Sequence, residues 1–197
     1  MKPLRIALTK GRLEKTTIEL FQKIGYNCDE VINKGRRLIL PIGDNDFEVV
    51  LAKAADVITY VEHGVCDLGV VGKDTILENG NSFYELLDLG FGKCRFALAT
   101  KKGTDFYSGY NTKTIATKYP NVTRAFFDGS VELAPLVGLS DGIVDIVETG
   151  STLKANGLEV IEWVTEISAR LIANTASLKL RKAEIEELQK KLEAVTK

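Results

Sequence analysis

The chain predicts an α/β protein built on two open sheets, mostly parallel or mixed. Short β-branched runs alternate with stretches of helical periodicity along its 197 residues. Three glycine turns, at 9–11, 72–74 and 149–152, each fall where a strand-like run gives way to a helix-like one. Sheets of this kind bind ligands at the C-terminal ends of their strands, so those turns mark the region where a site is expected.

The elements follow in order. Leu4 to Thr9 is an extended apolar run, and Leu13, Thr17, Leu20, Phe21 and Ile24 then recur at helical spacing until Gly25 stops the helix. Arg37 to Ile42 and Phe47 to Ala52 flank Gly43-Asp44-Asn45-Asp46 and read as a hairpin. A helix over about Ala54 to Glu62 leads to a buried strand at Asp67 to Val71, the Gly72-Lys73-Asp74 turn into a further helix, and a strand around Leu86 to Leu89. Near Phe91 the pattern restarts with Phe96 to Thr100 and Thr114 to Ala116, separated by the polar loop Lys101 to Lys113. Helices are expected from about Asn121 and over Val131 to Leu139, then a strand at Ile143 to Val147. Ala169 to Ala173 reads as a strand, and Ile185, Leu188, Leu192 and Val195 share one face of a last helix, supported by the i,i+4 pairs Glu186–Lys190 and Glu187–Lys191.

A hydrophobic content of 45% with 27% charged residues gives a folded chain long enough for one large domain or two small ones. The net charge of -1 argues against nucleic acid or a membrane surface as partner. No apolar run approaches the roughly 18 residues of a spanning helix. Met1-Lys2-Pro3 leads straight into a strand rather than a secretory signal, so a cytoplasmic protein is expected. Cys28, Cys66 and Cys94 are widely separated in apolar surroundings and read as reduced core thiols. His63, at a helix end before Gly64, reads as a C-terminal dipole contact.

The most informative segment is Asp145-Ile-Val-Glu-Thr-Gly-Ser-Thr-Leu-Lys-Ala-Asn-Gly157. Gly150 lets the backbone approach an anion, Ser151 and Thr152 supply hydroxyls, and the N–H groups of the following helix favour negative charge. Asp145 and Glu148 at its mouth suit sugar hydroxyls or a metal-bound diphosphate better than phosphate itself. The combination suggests a phosphorylated sugar; the same pattern is also that of plain N-capping.

Glu148-Thr149-Gly150-Ser151-Thr152-Leu153 with Asn156-Gly157-Leu158 resembles the phosphoribosyl-diphosphate loop of the ATP phosphoribosyltransferase family, which opens histidine biosynthesis. Five further blocks resemble the same family in the same order: Thr9 to Leu13, Asp67 to Asp74, Gly92 to Arg95, Ile115 to Pro120 and Gly129 to Pro135. The resemblance implies two lobes like those of periplasmic binding proteins, with residues 1–91 plus 174–197 as the ATP side and 92–173 as the phosphoribosyl-diphosphate side, and an active-site cleft between them.

It further implies transfer of a phosphoribosyl group to N1 of ATP with release of diphosphate. Thr149, Gly150, Ser151, Thr152 and Leu153 would hold the 5-phosphate, and Asp145 or Glu148 the ribose hydroxyls beside a ring that gains positive charge. Mg2+ would arrive on the diphosphate, without a protein metal-ligand set. Lys10, Gly11, Arg12, Lys53, Gly72 and Lys73 are candidates for the triphosphate of ATP, although Lys10 and Arg12 also fit a solvated pair and Lys73 an ordinary helix start. Lys93 and Arg95 fit a substrate contact or a hinge salt bridge. Glu132 is a candidate substrate residue, with a weak Gly129 capping box as the other reading.

Two features depart from the family. Lys53, Asp56, Val57 and Ile58 stand where it carries an Arg and then Asp-Ile/Val-Pro, and about a dozen family residues have no counterpart between Phe127 and Asp128. The chain resembles the short form, which works in a hetero-oligomer with a regulatory subunit resembling histidyl-tRNA synthetase. A reading from another class is a non-catalytic two-lobed binding module for a phosphorylated metabolite.

Overall fold

The computed structural model describes residues 2–44, 46–80, 82–109, 113–127 and 140–196. The chain divides into two compact units, Met1–Gly92 with Ser168–Lys197, and Lys93–Ile167. Among the described residues no helix is long and apolar enough to cross a membrane.

The first unit contains, in chain order, β1 (Leu4–Thr9), α1 (Arg12–Lys23), α2 (Asp29–Ile32), β2 (Ile39–Ile42), β3 (Phe47–Ala52), α3 (Ala54–Glu62), β4 (Leu68–Gly72), α4 (Lys73–Asn79) and β5 (Phe83–Asp88). The chain later returns to this unit for its last strand and two helices. The second unit is made of β6 (Cys94–Lys101), β7 (Ile115–Thr117), α5 (Pro120–Phe127), β8 (Gly142–Val147), α6 (Ser151–Ala155) and β9 (Leu158–Ile167). The returning elements are β10 (Ala169–Asn174), α7 (Thr175–Leu180) and α8 (Lys182–Glu193).

The first sheet has the order β2-β3-β1-β4-β10-β5. Its central strands β3, β1 and β4 are parallel, and β2, β10 and β5 join antiparallel. Central strands buried on both faces need nearly continuous apolar sequence, which β1 (Leu-Arg-Ile-Ala-Leu-Thr) and β4 (Leu-Gly-Val-Val-Gly) supply. One face packs against α1 and α8, including Ile18, Phe21, Ile185, Leu188 and Leu192. The other packs against α3 through Val57, Ile58 and Val61. Burying the three apolar residues of α8 contributes roughly 4–9 kcal/mol. Gly69 is required for the packing of α3, since a Cβ there would stand 2.8 Å from Val61 and 2.9 Å from Val57.

Arg181 ties the returning segment to the start of the chain. Its guanidinium donates to the Lys2 carbonyl at 2.9 Å, the Pro3 carbonyl at 3.2 Å and Asp67 at 3.3 Å. Asp67 also accepts from the Ser177 hydroxyl at 2.7 Å and the Arg5 N–H at 2.9 Å.

The second sheet has the order β7-β8-β6-β9, with only β7 and β8 parallel. Phe96, Leu98, Val144, Phe106 and Val122 form the core on one of its faces.

Several sequence expectations are corrected. Ala169–Asn174 pairs with β4 and β5, so the chain re-enters the first unit at Ser168 rather than at 174. Strand β9 was not anticipated: Glu159, Glu162 and Glu166 interrupt its apolar positions, and two register shifts against β6 break the period of two. The short helices α2 and α7 were also missed; neither is long enough to show a period, although Asn174 caps α7 through the N–H groups of Ala176 and Ser177. Glu187 pairs with Lys191 at 2.8 Å as expected, whereas Glu186 pairs with Lys182 at 3.6 Å instead of Lys190. The expected helix at 131–139, Glu132 and the Gly129 to Pro135 block lie outside the described residues.

Candidate active site

In the second unit the predicted loop forms at the end of β8. Gly150 takes the left-handed conformation, φ 73° and ψ 5°, and α6 begins at Ser151, whose N–H donates to the Thr149 hydroxyl at 3.4 Å. A glycine is needed for that turn, because other L residues pay for positive φ. Its open side is equally relevant: a Cβ at Gly150 would meet nothing closer than Val147 Cγ1 at 3.8 Å. The backbone is therefore accessible to a ligand. Thr149 and Ser151 hydroxyls lie 3.0 Å apart, and the Asn156 amide donates to the Thr152 carbonyl at 2.8 Å, closing the short helix.

Asp145, Glu148, Thr149, Gly150, Ser151, Thr152 and Leu153 all line one cavity of about 540 Å³, so seven of the second-unit candidates are brought together, while Lys93 and Arg95 do not line it. Asp145 is half-buried, with one oxygen accepting the Ile146 N–H at 2.8 Å and the other without a hydrogen-bond partner among the described residues. Glu148, Ser151 and Thr152 are exposed. Asn156, Ile143 and Leu158 also line the cavity. Asn156 and Leu158 belong to the sequence motif, whereas Ile143 gives no signal beyond that of an ordinary strand residue.

In the first unit the parallel register sets Thr9 beside Ala52, and Leu8 beside Val70. The C-terminal ends of β3, β1 and β4 consequently share one edge of the sheet, which gathers Lys10, Gly11, Arg12, Lys53, Gly72 and Lys73. The Lys10 N–H donates to the Ala52 carbonyl at 2.9 Å and the Thr9 hydroxyl to the Val70 carbonyl at 3.0 Å, fixing the three turns to one another. The helices that start here, α1, α3 and α4, have Gly11, Lys53 and Gly72 as N-caps, and none of these supplies a side-chain cap. Three helix N-termini thus start at one edge, each with a carboxylate in its first turn, Glu14, Asp56 and Asp74, beside the N–H groups.

Glu14 and Lys73 are committed there. Glu14, almost fully buried, accepts the Gly11 N–H at 3.3 Å and is ion-paired with Lys34. Lys73 pairs with Glu85 at 2.5 Å, and Glu85 in turn holds Arg170 at 3.1 Å. Sequence inspection did not single out Glu14 or Lys34, which lie 20 residues apart in different elements. Lys10 and Lys53 are exposed.

Among the described residues no group of three or more His, Cys, Asp or Glu side chains is placed to hold a metal ion. None of Cys28, Cys66 and Cys94 is joined in a disulfide. His63 is the C-cap of α3, with Nδ1 2.9 Å from the Thr59 carbonyl.

Comparison with known proteins identifies the family. The family model described as HisG, ATP phosphoribosyltransferase, matches residues 53–194. An ATP phosphoribosyltransferase of Clostridium kluyveri is 55% identical over 204 residues, covering 98% of this chain and 93% of the relative. That of Clostridium novyi is 54% identical over 202 residues, covering 95% of each. Among solved structures, the ATP phosphoribosyl transferase (HisG:HisZ) complex from Thermotoga maritima is similar with a TM-score of 0.79 and 32% identity over 98% of both chains. The periplasmic aliphatic sulphonate binding protein SsuA from Escherichia coli shares the fold alone, at a TM-score of 0.58 and 11% identity, over all of this chain and 73% of that one. With a family model covering most of its length and relatives more than half identical from end to end, the chain belongs to the ATP phosphoribosyltransferase family.

Proposed function

We propose that this chain transfers the 5-phosphoribosyl group of phosphoribosyl diphosphate to N1 of the adenine of ATP, releasing diphosphate, as the first step of histidine biosynthesis in the cytoplasm. The observation that carries the reading is the open, left-handed Gly150 turn, set between Asp145 and Glu148 on one side and the start of α6 on the other.

The bond from C1 of the ribose to diphosphate breaks as the N1 lone pair forms the new bond to C1. Positive charge develops on the ring, and negative charge on the leaving group. The N–H groups of the Gly150 turn and the hydroxyls of Thr149, Ser151 and Thr152 hold the 5-phosphate, so the sugar is fixed at its far end while C1 reacts. Asp145 accepts ribose hydroxyls, and its carboxylate, with that of Glu148, favours the cationic ring. A ring nitrogen carries its own lone pair, so no general base precedes attack; the proton leaves afterwards from the 6-amino group of the alkylated adenine. Leu153 walls the cavity, and the turns at the helix starts of the first unit, with Lys10, Arg12 and Lys53, bind the triphosphate. Lys73 contributes only on leaving Glu85.

Asp145 and Glu148 are too few to cage a divalent ion, but they fit Mg2+ carried in on the diphosphate with water completing its shell. When bound, that ion neutralises charge on the leaving diphosphate. The Thermotoga maritima relative is a HisG:HisZ complex. By extension this chain works in a hetero-oligomer with a regulatory subunit resembling histidyl-tRNA synthetase.

Calorimetry with phosphoribosyl diphosphate and Mg2+, followed by an absorbance assay on addition of ATP, tests the reading. Binding followed by product formation supports it. Binding without turnover, with the regulatory partner present, favours a non-catalytic module for a phosphorylated metabolite.

A further inference from the structure

On the sheet of the second unit, residues paired in register place their side chains on the same face. Asp145 of β8 pairs with Ala97 of β6, which pairs with Trp163 of β9. Arg95, two residues before Ala97, shares that face and pairs with Val147, the last residue of β8 before the phosphate loop. Two strand spacings separate Asp145 from Trp163, about 10 Å between backbones, with only a methyl group from Ala97 between them.

The Arg95 guanidinium lies 3.8 Å from the centre of the Trp163 ring. Trp163 is 45% exposed, and Arg95 is exposed as well. Stacking fixes the plane of the guanidinium but occupies none of its N–H groups, which lie at its edges. Arg5, Arg37, Arg170 and Arg181 are each ion-paired with a carboxylate. Arg95 has no such partner among the described residues, although Glu166 stands opposite it in register. An aromatic ring therefore holds a guanidinium ready for a bidentate anion, beside a loop already suited to phosphate.

We infer that Arg95, held in place by Trp163, binds the diphosphate of phosphoribosyl diphosphate and keeps it as it leaves C1. The inference rests on the phosphoribosyl-transfer reading. With the 5-phosphate in the Gly150 turn and the ribose hydroxyls on Asp145, the diphosphate on C1 is the remaining anion of the substrate, and Arg95 is the uncommitted guanidinium on the same face. Arg95 is the binding residue. Trp163 is a positioning residue, acting through Arg95.

Trp163 is the single tryptophan of the chain, so its fluorescence reports on the stacked pair. The experiment titrates inorganic diphosphate, ribose 5-phosphate and phosphoribosyl diphosphate, each with Mg2+, into the whole chain, by fluorescence for the wild type and by calorimetry for all variants. Inorganic diphosphate is expected to change the emission saturably. R95M should lose at least tenfold in affinity for inorganic diphosphate and phosphoribosyl diphosphate while keeping that for ribose 5-phosphate within twofold. W163L should weaken both diphosphate ligands by at least fivefold, and W163F, which retains a ring under the guanidinium, should recover most of that loss. A smaller loss in R95M, an equal loss for ribose 5-phosphate, W163L binding like the wild type, or no diphosphate binding at all overturns the inference. If phosphoribosyl diphosphate binds the wild type and R95M alike, only the Arg95 assignment falls; if it does not bind the wild type, the phosphoribosyl-transfer reading falls with it.

Discussion

Substituting Gly150 separates the two demands made on that residue. Its φ of 73° is a conformation that costs a non-glycine residue about 1–2 kcal/mol. No clash adds to this in the free protein, since a Cβ would rest 3.8 Å from Val147, an ordinary van der Waals contact. Gly150→Ala should therefore lower the melting temperature by about 2–8 °C, given roughly 2–4 °C per kcal/mol at this chain length. Gly150→Val should cost somewhat more, because a β-branched side chain tolerates positive φ least. The larger effect should be on the ligand. The added side chain occupies the space through which phosphate reaches the turn, and each charge-assisted hydrogen bond lost is worth about 1.5–3 kcal/mol. Loss of one such bond weakens phosphoribosyl diphosphate binding roughly 10- to 100-fold. Thermal melting and calorimetry on the same preparations measure both quantities. A folded Gly150→Val protein with wild-type affinity would refute the phosphate cradle.

Three further outcomes follow from other parts of the molecule. Lys53 is the exposed N-cap of α3, where a guanidinium would keep the charge and add a second donor edge, so Lys53→Arg should leave ATP turnover unchanged or raise it up to a few fold; loss of ATP binding in a folded variant would remove Lys53 from the site. Burial, reinforced by Asp29, pushes the Cys28 thiol up to about 11, and burial pushes Cys66 up to about 12 against the lowering effect of Arg5. Both thiols should resist a colorimetric thiol reagent at pH 8 while the half-buried Cys94 reacts. Their share of stability should be complete below the ordinary thiol value of 9.0 and be lost as pH rises toward about 11 and about 12, which thermal melts across alkaline pH will show as a shallower decline in Cys66→Ala. The isolated chain should turn over slowly and ignore histidine, gaining both activity and inhibition when a HisZ-like subunit is added; strong inhibition by histidine in steady-state assays of the chain alone would place the effector site within it.

Much of this architecture was legible because local and global signals coincide. Leu4–Thr9, Phe47–Ala52 and Ala54–Glu62 form where the sequence predicts them, since each has a clear period and a glycine or polar boundary. The Gly150 turn was legible for the same reason: its glycine, hydroxyls and flanking carboxylates are contiguous. Strand β9 was hidden by its glutamates, two of which accept from the 101–108 loop, Glu159 from the Gly103 N–H and Glu162 from the Tyr107 hydroxyl. The Arg95–Trp163 pair was equally hidden, because 68 residues separate two side chains that only the β6–β9 register brings together. The commitment of Lys73 to Glu85 depends on the pairing of β4, β10 and β5, which no local pattern encodes.

The central claim is tested most directly by mixing the chain and its HisZ-like partner with phosphoribosyl diphosphate, Mg2+ and ATP, and quantifying both products by mass spectrometry. The account predicts phosphoribosyl-ATP, substituted at N1 of the adenine, and diphosphate in equal amounts, with both lost together in Gly150→Val. Saturable binding of phosphoribosyl diphosphate with neither product formed would contradict it.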